Sequence, residues 1–467
     1  MALVLRRIFA PRKTEPRVPA RELDKRYKRW RRLMFWSATL GYGFYYICRL
    51  PLSVTKSKLV DAKILDAAQL GRIGSGHKVA YAMGKLTNGF LADRLHLGRF
   101  LAAGMFGSAL LNLTFGLQQS YGAMLVVWAL NGWLQAHGAP TCGVILASWF
   151  SDRERGKRYA VWSLSHHIGE ALTFAVTAQV VQSLGWRAGF IVPAITCFVI
   201  VLVLLRTTTD RPAGVGLPYP SEYMNDRAPD KREISLSVWQ LQREVLKSGW
   251  VWLLALSSAS MYVARYAVND WGVLYLEKAH GYSLADAGSM VSLFPIVGAI
   301  GSASSGWLSD RFFDSRRTPL TVMFGLLLIG SQIVLYYVKG NPWLARVAIS
   351  CAGIGIGALL VFLGGLTAMD IAPRRAPGAA LGLVGNCSYL GAAMQDWVSG
   401  SMIEERRKVV DGKSVYDFTR VRLFWIGASV VSTVLASLLW LPEKRMRRQE
   451  RDGDSAAPEA EADADAD

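Results

Sequence analysis

Charge is scarce in this sequence, and acid is scarcer than base. Of 467 residues only 19% are charged, with 35 Asp or Glu against 53 Lys or Arg. Cysteine is nearly missing. The five present (Cys48, Cys142, Cys197, Cys351 and Cys387) all sit in apolar stretches with no metal-binding or redox spacing. An odd number so placed argues against a disulfide framework and for small apolar packing. No phosphate-binding loop of the ATPase kind, nucleophile elbow or metal signature occurs, so neither an enzyme nor a cofactor is expected. A removable leader is not expected either. The first apolar run follows a basic, Pro-containing segment and is too long for a signal-peptide core.

What the chain does have is long apolar runs: 52% of it is hydrophobic and its mean hydropathy is +0.23. About 20 consecutive apolar residues cross a bilayer core. Twelve segments qualify, near 33–55, 67–92, 99–118, 121–149, 158–183, 188–206, 249–275, 284–308, 318–338, 343–369, 378–402 and 422–441. They are too long for strands, and barrel strands would alternate, so an all-α membrane protein is expected. Its parts are a basic segment 1–32, a six-helix half 33–206, a linker 207–248, a second six-helix half 249–441 and an acidic, low-complexity tail 442–467. Helical spacing from Leu236 to Leu246 predicts a surface helix within the linker.

The formal net charge of +18 raises nucleic acid as a partner, but its distribution points to a lipid bilayer instead. Residues 1–32 hold 12 bases and 3 acids. Further basic clusters follow alternate spans: Arg94 and Arg99, Arg153 to Arg158, Arg311 to Arg317, Arg374 and Arg375, and Lys444 to Arg448. This bias places both termini in the cytoplasm of a cell whose inner membrane the protein spans many times. Loop 403–421 resists the rule, since it falls on the other side yet carries Arg406, Arg407, Lys408, Lys413 and Arg420.

Two features repeat. Arg49 interrupts the first apolar run of the first half, and Arg265 interrupts the first run of the second, 216 residues on. Gly89-Phe90-Leu91-Ala92-Asp93-Arg94 recurs as Gly306-Trp307-Leu308-Ser309-Asp310-Arg311. Like landmarks in like order describe two parallel repeats. An Arg in hydrocarbon costs roughly 2.5–3.5 kcal/mol on insertion scales, so two symmetry-related ones point to a shared anionic ligand. A planar guanidinium meets a phosphoryl group with two parallel N–H donors, which an ammonium cannot do. The alternative is internal pairing, such as Arg265 with Asp270.

The segment from Gly89 through Asp93 and Arg94 to Gly98 and Arg99 resembles the loop signature of the major facilitator superfamily, which implies twelve transmembrane helices in that fold. Asp93, Arg94, Asp310 and Arg311 are candidates for a gating latch between the halves; the plainer reading is a charge pair that sets topology. Within the superfamily the chain resembles the organophosphate:phosphate antiporters, which include glycerol-3-phosphate and hexose-6-phosphate transporters. The stretches that carry this are Tyr45-Tyr46-Ile47-Cys48-Arg49, Tyr81-Ala82-Met83-Gly84-Lys85, Leu130 to Pro140, Trp162 to His166, Gly185 to Gly189, Asp210-Arg211-Pro212, Tyr262 to Arg265 with Asn269-Asp270-Trp271, and Ser388-Tyr389-Leu390-Gly391. With Arg26 to Arg32, several look nearest the hexose-phosphate sensor branch, which shares the fold but signals to a membrane histidine kinase.

The resemblance implies that Arg49 and Arg265 are the two essential arginines, Lys85 the cation of the second helix and His166 the histidine of the fifth. Tyr42, Tyr46, Tyr262 and Tyr389 match cavity-lining positions, although a lone membrane Tyr serves equally well as packing. Lys78 lies on the same helical face as Lys85 and is expected in a basic cavity wall, unless it snorkels to the rim. His166, His167 and Glu170 raise a weak metal alternative; Glu170 is better read as a partner for an internal cation. The chain also departs from the family. Leu50 stands where Lys commonly follows the first essential Arg. Leu381 and Val384 replace the charged sugar-recognition pair of the eleventh helix, and no Phe-Gly-Pro-Gln run lies near Leu359 to Gly365. The expectation is therefore a monomeric antiporter exchanging an organic phosphate for inorganic phosphate, with the kinase-coupled sensor as the alternative.

Overall fold

In a computed structural model, residues 9–224, 238–314, 316–371, 377–410 and 413–441 are described; the tail 442–467, Arg374 and Arg375 lie outside them. Each of the twelve apolar segments is helical. The first is split into α1 (Ala20–Ile47) and α2 (Pro51–Asp61), and the second is α3 (Ala67–Arg94). Then come α4 (Leu97–Leu117), α5 (Tyr121–Gln135) with α6 (Gly138–Trp149), α7 (Asp152–Leu184) and α8 (Ala188–Thr207). After the linker's short α9 (Pro220–Tyr223) and α10 (Val238–Lys247) the pattern resumes with α11 (Gly249–His280), α12 (Leu284–Phe312) and α13 (Arg317–Tyr337). The tenth segment runs through α14 (Pro342–Val361), a π-helical turn Phe362–Leu366 and α15 (Thr367–Ile371); α16 (Pro377–Glu405) and α17 (Thr419–Leu438) close the chain. By length and hydropathy alone, seven helices among the described residues suffice to cross a bilayer. Others fall short because they are broken, like α1–α2, or charged, like α3 with Arg72, Lys78, Lys85, Asp93 and Arg94.

The first helix begins at Ala20 rather than near residue 33, so much of the basic leader is helix outside the apolar run. Its turns are held by pairs of helical spacing, Arg26 with Glu22 at 2.9 Å and Lys28 with Asp24 at 2.6 Å. The linker helix α10 falls where apolar spacing placed it. Loop 403–421 is not a plain loop. Residues Arg407–Val410 and Lys413–Tyr416 pair as an antiparallel hairpin, Arg407 opposite Tyr416. Two of its five bases are answered locally, Arg407 by Glu404 at 2.8 Å and Arg406 by Asp417 at 3.6 Å, which eases the conflict with the charge rule in part.

Packing separates the spans into two bundles. In one, α3 packs on α5, α4 on α8 and α1 on α7; in the other, α12 and α13 pack on α14, and α11 on α16 and α17. The bundles meet where α3 lies against α16, α7 against α12 and α2 against α11. Gly74 of α3 allows the first of these, since any side chain there would strike the Asp396 carboxylate of α16. The N-terminal segment and the start of the linker share one face with the α3–α4 turn: the Arg12 amide donates to Asp210 at 2.8 Å, and Arg211 donates to the Asp93 carbonyl at 2.6 Å. On that face burial pulls the His96 imidazole below its ordinary pKa, keeping Nδ1 free to accept the Arg99 amide that begins α4. This is the terminus-bearing face; the ends of α2, α11 and α16 form the opposite one.

Candidate functional site

The break in the first span makes the site. Pro51 has no N–H and its ring excludes the carbonyl four residues back, so helix bonding cannot run through it. Backbone carbonyls freed in an apolar interior need other donors. They find them in amide side chains of neighbouring spans: Asn112 and Asn131 donate to the Cys48 carbonyl at 2.8 and 3.0 Å, and Gln135 donates to that of Tyr45 at 3.0 Å. Ser108 ties these amides together, donating to Asn131 at 2.6 Å and accepting from Gln135 at 2.7 Å. Arg49 therefore projects from a fixed, non-helical corner.

Its guanidinium lies over two rings, 4.7 Å from the centroid of Tyr46 and 4.2 Å from that of Tyr81. Among the described residues no carboxylate pairs with it, and its buried Nε has no hydrogen-bond partner. The aromatic wall continues. Tyr81 meets Tyr389 at 4.6 Å, and Tyr389 meets Tyr262 at 5.5 Å and carries the Lys85 ammonium 5.2 Å above its ring. From the second bundle the Arg265 guanidinium faces Tyr262 and Tyr266 at 5.7 and 5.4 Å. On the other flank Tyr46 touches Tyr42 at 5.7 Å and His166 at 5.8 Å, and Tyr42 stacks on Trp162 at 4.7 Å. The structure thus gathers Arg49, Lys85, Arg265, His166, Tyr42, Tyr46, Tyr262 and Tyr389 around one aromatic surface between the bundles. Rings offer cations a favourable face without neutralising them, so the charge stays available to an anion.

Arg265 does have an internal partner, though not Asp270. It lies 3.6 Å from Glu170 of α7, which also accepts a hydrogen bond from Asn269. Five residues place 265 and 270 about 140° apart around their helix, too far to share a partner. Glu170 is thereby engaged as an ion-pair partner, which removes it from the metal alternative with His166.

Lys78 departs from expectation. It lines a small cavity beside Arg49, but rather than standing free there it is one member of a buried four-residue cluster. Its ammonium pairs with both Asp270 of α11 and Asp396 of α16, while Lys56 of α2 lies 3.5 Å from Asp396. Lys56 and Asp396 are each 1% exposed. Ser53 donates to Asp270 at 3.0 Å, Trp271 donates to Asp396 at 2.8 Å, and the Lys56 ammonium sits 3.6 Å from the Trp271 ring centroid. Two bases from one bundle face two acids from the other, so each buried charge has an opposite partner across the interface. Sequence reading missed Lys56 and Asp396. A base directly after the first run and a single acid within 378–402 were the available signals. A cavity of about 30 Å³, room for a water or two, separates Arg49 from this cluster.

Further out on the same side Lys58 pairs with Glu277 at 3.2 Å and Lys278 with Asp61 at 2.6 Å, again across the bundles. The expected latch lies elsewhere. Asp93, Arg94, Asp310 and Arg311 are exposed on the terminus-bearing face. Asp310 pairs with Arg317 of its own bundle at 2.8 Å. In this conformation Lys58–Glu277 and Lys278–Asp61 join the bundles on the face opposite those four residues.

Comparison with known proteins agrees with this architecture. A sequence profile of the Major Facilitator Superfamily matches residues 33–395. The chain is 32% identical over 398 residues to a probable hexose phosphate transport protein of Chlamydia trachomatis, covering 82% of this chain and 87% of that one. It is also 32% identical to the membrane sensor protein UhpC of Salmonella typhimurium over 82% and 88% of the two chains. The inward-facing, unoccupied crystal structure of a bacterial homologue of the human lysosomal transporter Spinster superposes with a TM-score of 0.71 at 16% identity, covering 89% of this chain and 98% of that one. The chain belongs to the major facilitator superfamily, in the branch that holds these hexose-phosphate transport and sensor proteins.

Proposed function

We propose that the chain is a secondary antiporter that exchanges an organic phosphate monoester for inorganic phosphate by alternating access. One observation carries the reading: Arg49 and Lys85 bring two cations without a carboxylate partner among the described residues to the same aromatic surface that Arg265 faces from the other bundle. A phosphoryl dianion satisfies all three, with Arg49 and Arg265 as bidentate donors and Lys85 as a point charge. His166 and Tyr42, Tyr46, Tyr262 and Tyr389 supply hydrogen bonds and ring faces around the ester group. Glu170 holds Arg265 while no anion is bound, and an arriving phosphoryl group competes for that guanidinium. Binding then draws the bundles together at the site, and Asp93, Arg94, Asp310 and Arg311 latch the terminus-bearing side when the opposite side opens. An empty carrier keeps unpaired cations at its centre and crosses poorly, which favours exchange over one-way transport.

In this reading the chain acts as a monomer in the inner membrane, with both termini in the cytoplasm. Counterflow of labelled phosphate in proteoliposomes tests it: trans inorganic phosphate should accelerate release, and a rate independent of trans phosphate would refute exchange. A second reading, a ligand sensor for a membrane histidine kinase, has its own support. Val384 is fully buried and Leu381 packs against the core, so the eleventh span presents no charge where a hexose-phosphate transporter has its recognition pair. Ligand binding without counterflow would favour the sensor.

A further inference from the structure

A second feature lies away from the central site, on the outer surface of the first bundle. Helices α1 and α8 cross tightly at Gly41 and Leu204, where an added Cβ would come 3.1 Å from the leucine. Ser37 donates to Thr207 at 2.8 Å beside that crossing. Around these contacts the helices leave a groove of about 630 Å³, within the size range of small-molecule sites, about 300–1,000 Å³. Its walls are apolar, with Trp36, Leu40, Phe44 and Val203, and Arg29 and Arg32 stand at its end on the terminus-bearing face.

Length and charge identify an occupant. From Arg32 to Phe44 α1 rises about 18 Å, close to one leaflet of a hydrocarbon core about 30 Å thick. Trp36 is 52% and Leu40 57% exposed, so the groove opens sideways rather than into the bundle. The cations at its mouth are not spent. Lys28 pairs with Asp24 and Arg31 with Glu154, but no carboxylate pairs with Arg29 or Arg32 among the described residues. A second hollow of about 400 Å³ shares Arg32 and Trp36 and adds Arg158, so positive charge surrounds the mouth.

We propose that this groove is a binding site for an anionic glycerophospholipid, its phosphodiester held by Arg29 and Arg32 and one acyl chain lying along Trp36, Leu40 and Phe44. A zwitterionic headgroup brings its own ammonium to a cluster of bases and is disfavoured. Free phosphate gains nothing from the apolar walls. Loading the groove ties α1 to α8 beside their crossing and fixes the height of the first bundle in the membrane.

The test is native mass spectrometry of the full-length protein in detergent, titrated with phosphatidylglycerol or with phosphatidylethanolamine of the same chains. Wild type should retain phosphatidylglycerol preferentially. Arg29→Gln with Arg32→Gln should weaken that retention about thirtyfold, the worth of two basic side chains at a membrane surface. Leu40→Trp, which leaves every charge in place, should also displace the lipid, and it keeps the test decisive if the double variant fails to insert. Excess inorganic phosphate should not compete. Equal retention of both lipids, undiminished retention in a folded variant, or displacement by inorganic phosphate would each overturn the proposal.

Discussion

Replacing Asp396 by Asn tests whether the buried cluster holds the bundles together on the face opposite the termini. The carboxylate serves both Lys78 and Lys56 and accepts from Trp271. Asn keeps the shape and one acceptor but leaves two ammoniums to the single carboxylate of Asp270. Stranding one partner of a buried pair costs about 3–5 kcal/mol. Opening the bundles admits water and recovers part of that cost, so it weighs mainly on the conformation described here. Even 2 kcal/mol shifts a two-state equilibrium about thirtyfold. Spin labels at Ala62 and Ala279, each next to a member of the Asp61–Lys278 pair, report the separation of α2 and α11. Asp396→Asn should add a longer-distance population. Pairing it with Lys56→Met, which restores one acid to one base, should largely reverse the change. An unchanged distance distribution in the folded single variant would refute the gating argument.

Arg49→Lys and Arg265→Lys should each abolish phosphate exchange although charge is kept; near-normal counterflow by either inserted variant would remove the bidentate clamp. Lys85→Ala should weaken phosphate binding less than either, because an ammonium adds field rather than geometry, and isothermal titration would rank the three. Asn131→Leu leaves the Cys48 carbonyl to Asn112 alone and strips the buried Ser108 hydroxyl of its acceptor, and should lower stability by about 1–3 kcal/mol, seen as a drop in thermal midpoint that Asn131→Gln partly restores. Small phosphate monoesters should compete with labelled phosphate about as well as glucose-6-phosphate, and Leu381→Asp with Val384→Lys should shift preference toward the hexose phosphate. A strong wild-type preference for the hexose ester would show that other residues read the sugar.

The helices were legible because membrane burial writes itself into long apolar runs, and Arg49 and Arg265 stood out because each interrupts the first apolar run of its half. The pairing of Lys78 was hidden for a physical reason. Its spacing from Lys85 gives the correct helical face, but what meets that face comes from α11 and α16, hundreds of residues away, and a charge looks the same in sequence whether it is free or doubly paired. The early start of α1 was hidden because helix in water carries no hydropathy signal; only the pairs Glu22–Arg26 and Asp24–Lys28 announced it. The hairpin at 407–416 is too short and charged to resemble a strand pair.

The broken first span also makes the two arginines mechanically unlike. Arg49 sits on an anvil: a corner nailed in place by Asn112, Asn131 and Gln135, independent of the helical phase before and after it. Arg265 rides on a continuous rod, Gly249–His280, whose rotation it must follow. An extra residue within that rod ahead of Arg265 would swing its guanidinium about 100° around the axis, whereas the corner at 48–50 interrupts any such phase error before it reaches Arg49. Two residues at like places in the two halves thus face unequal tolerances, with one jaw forgiving of drift in its own helix and the other bound to every residue beneath it.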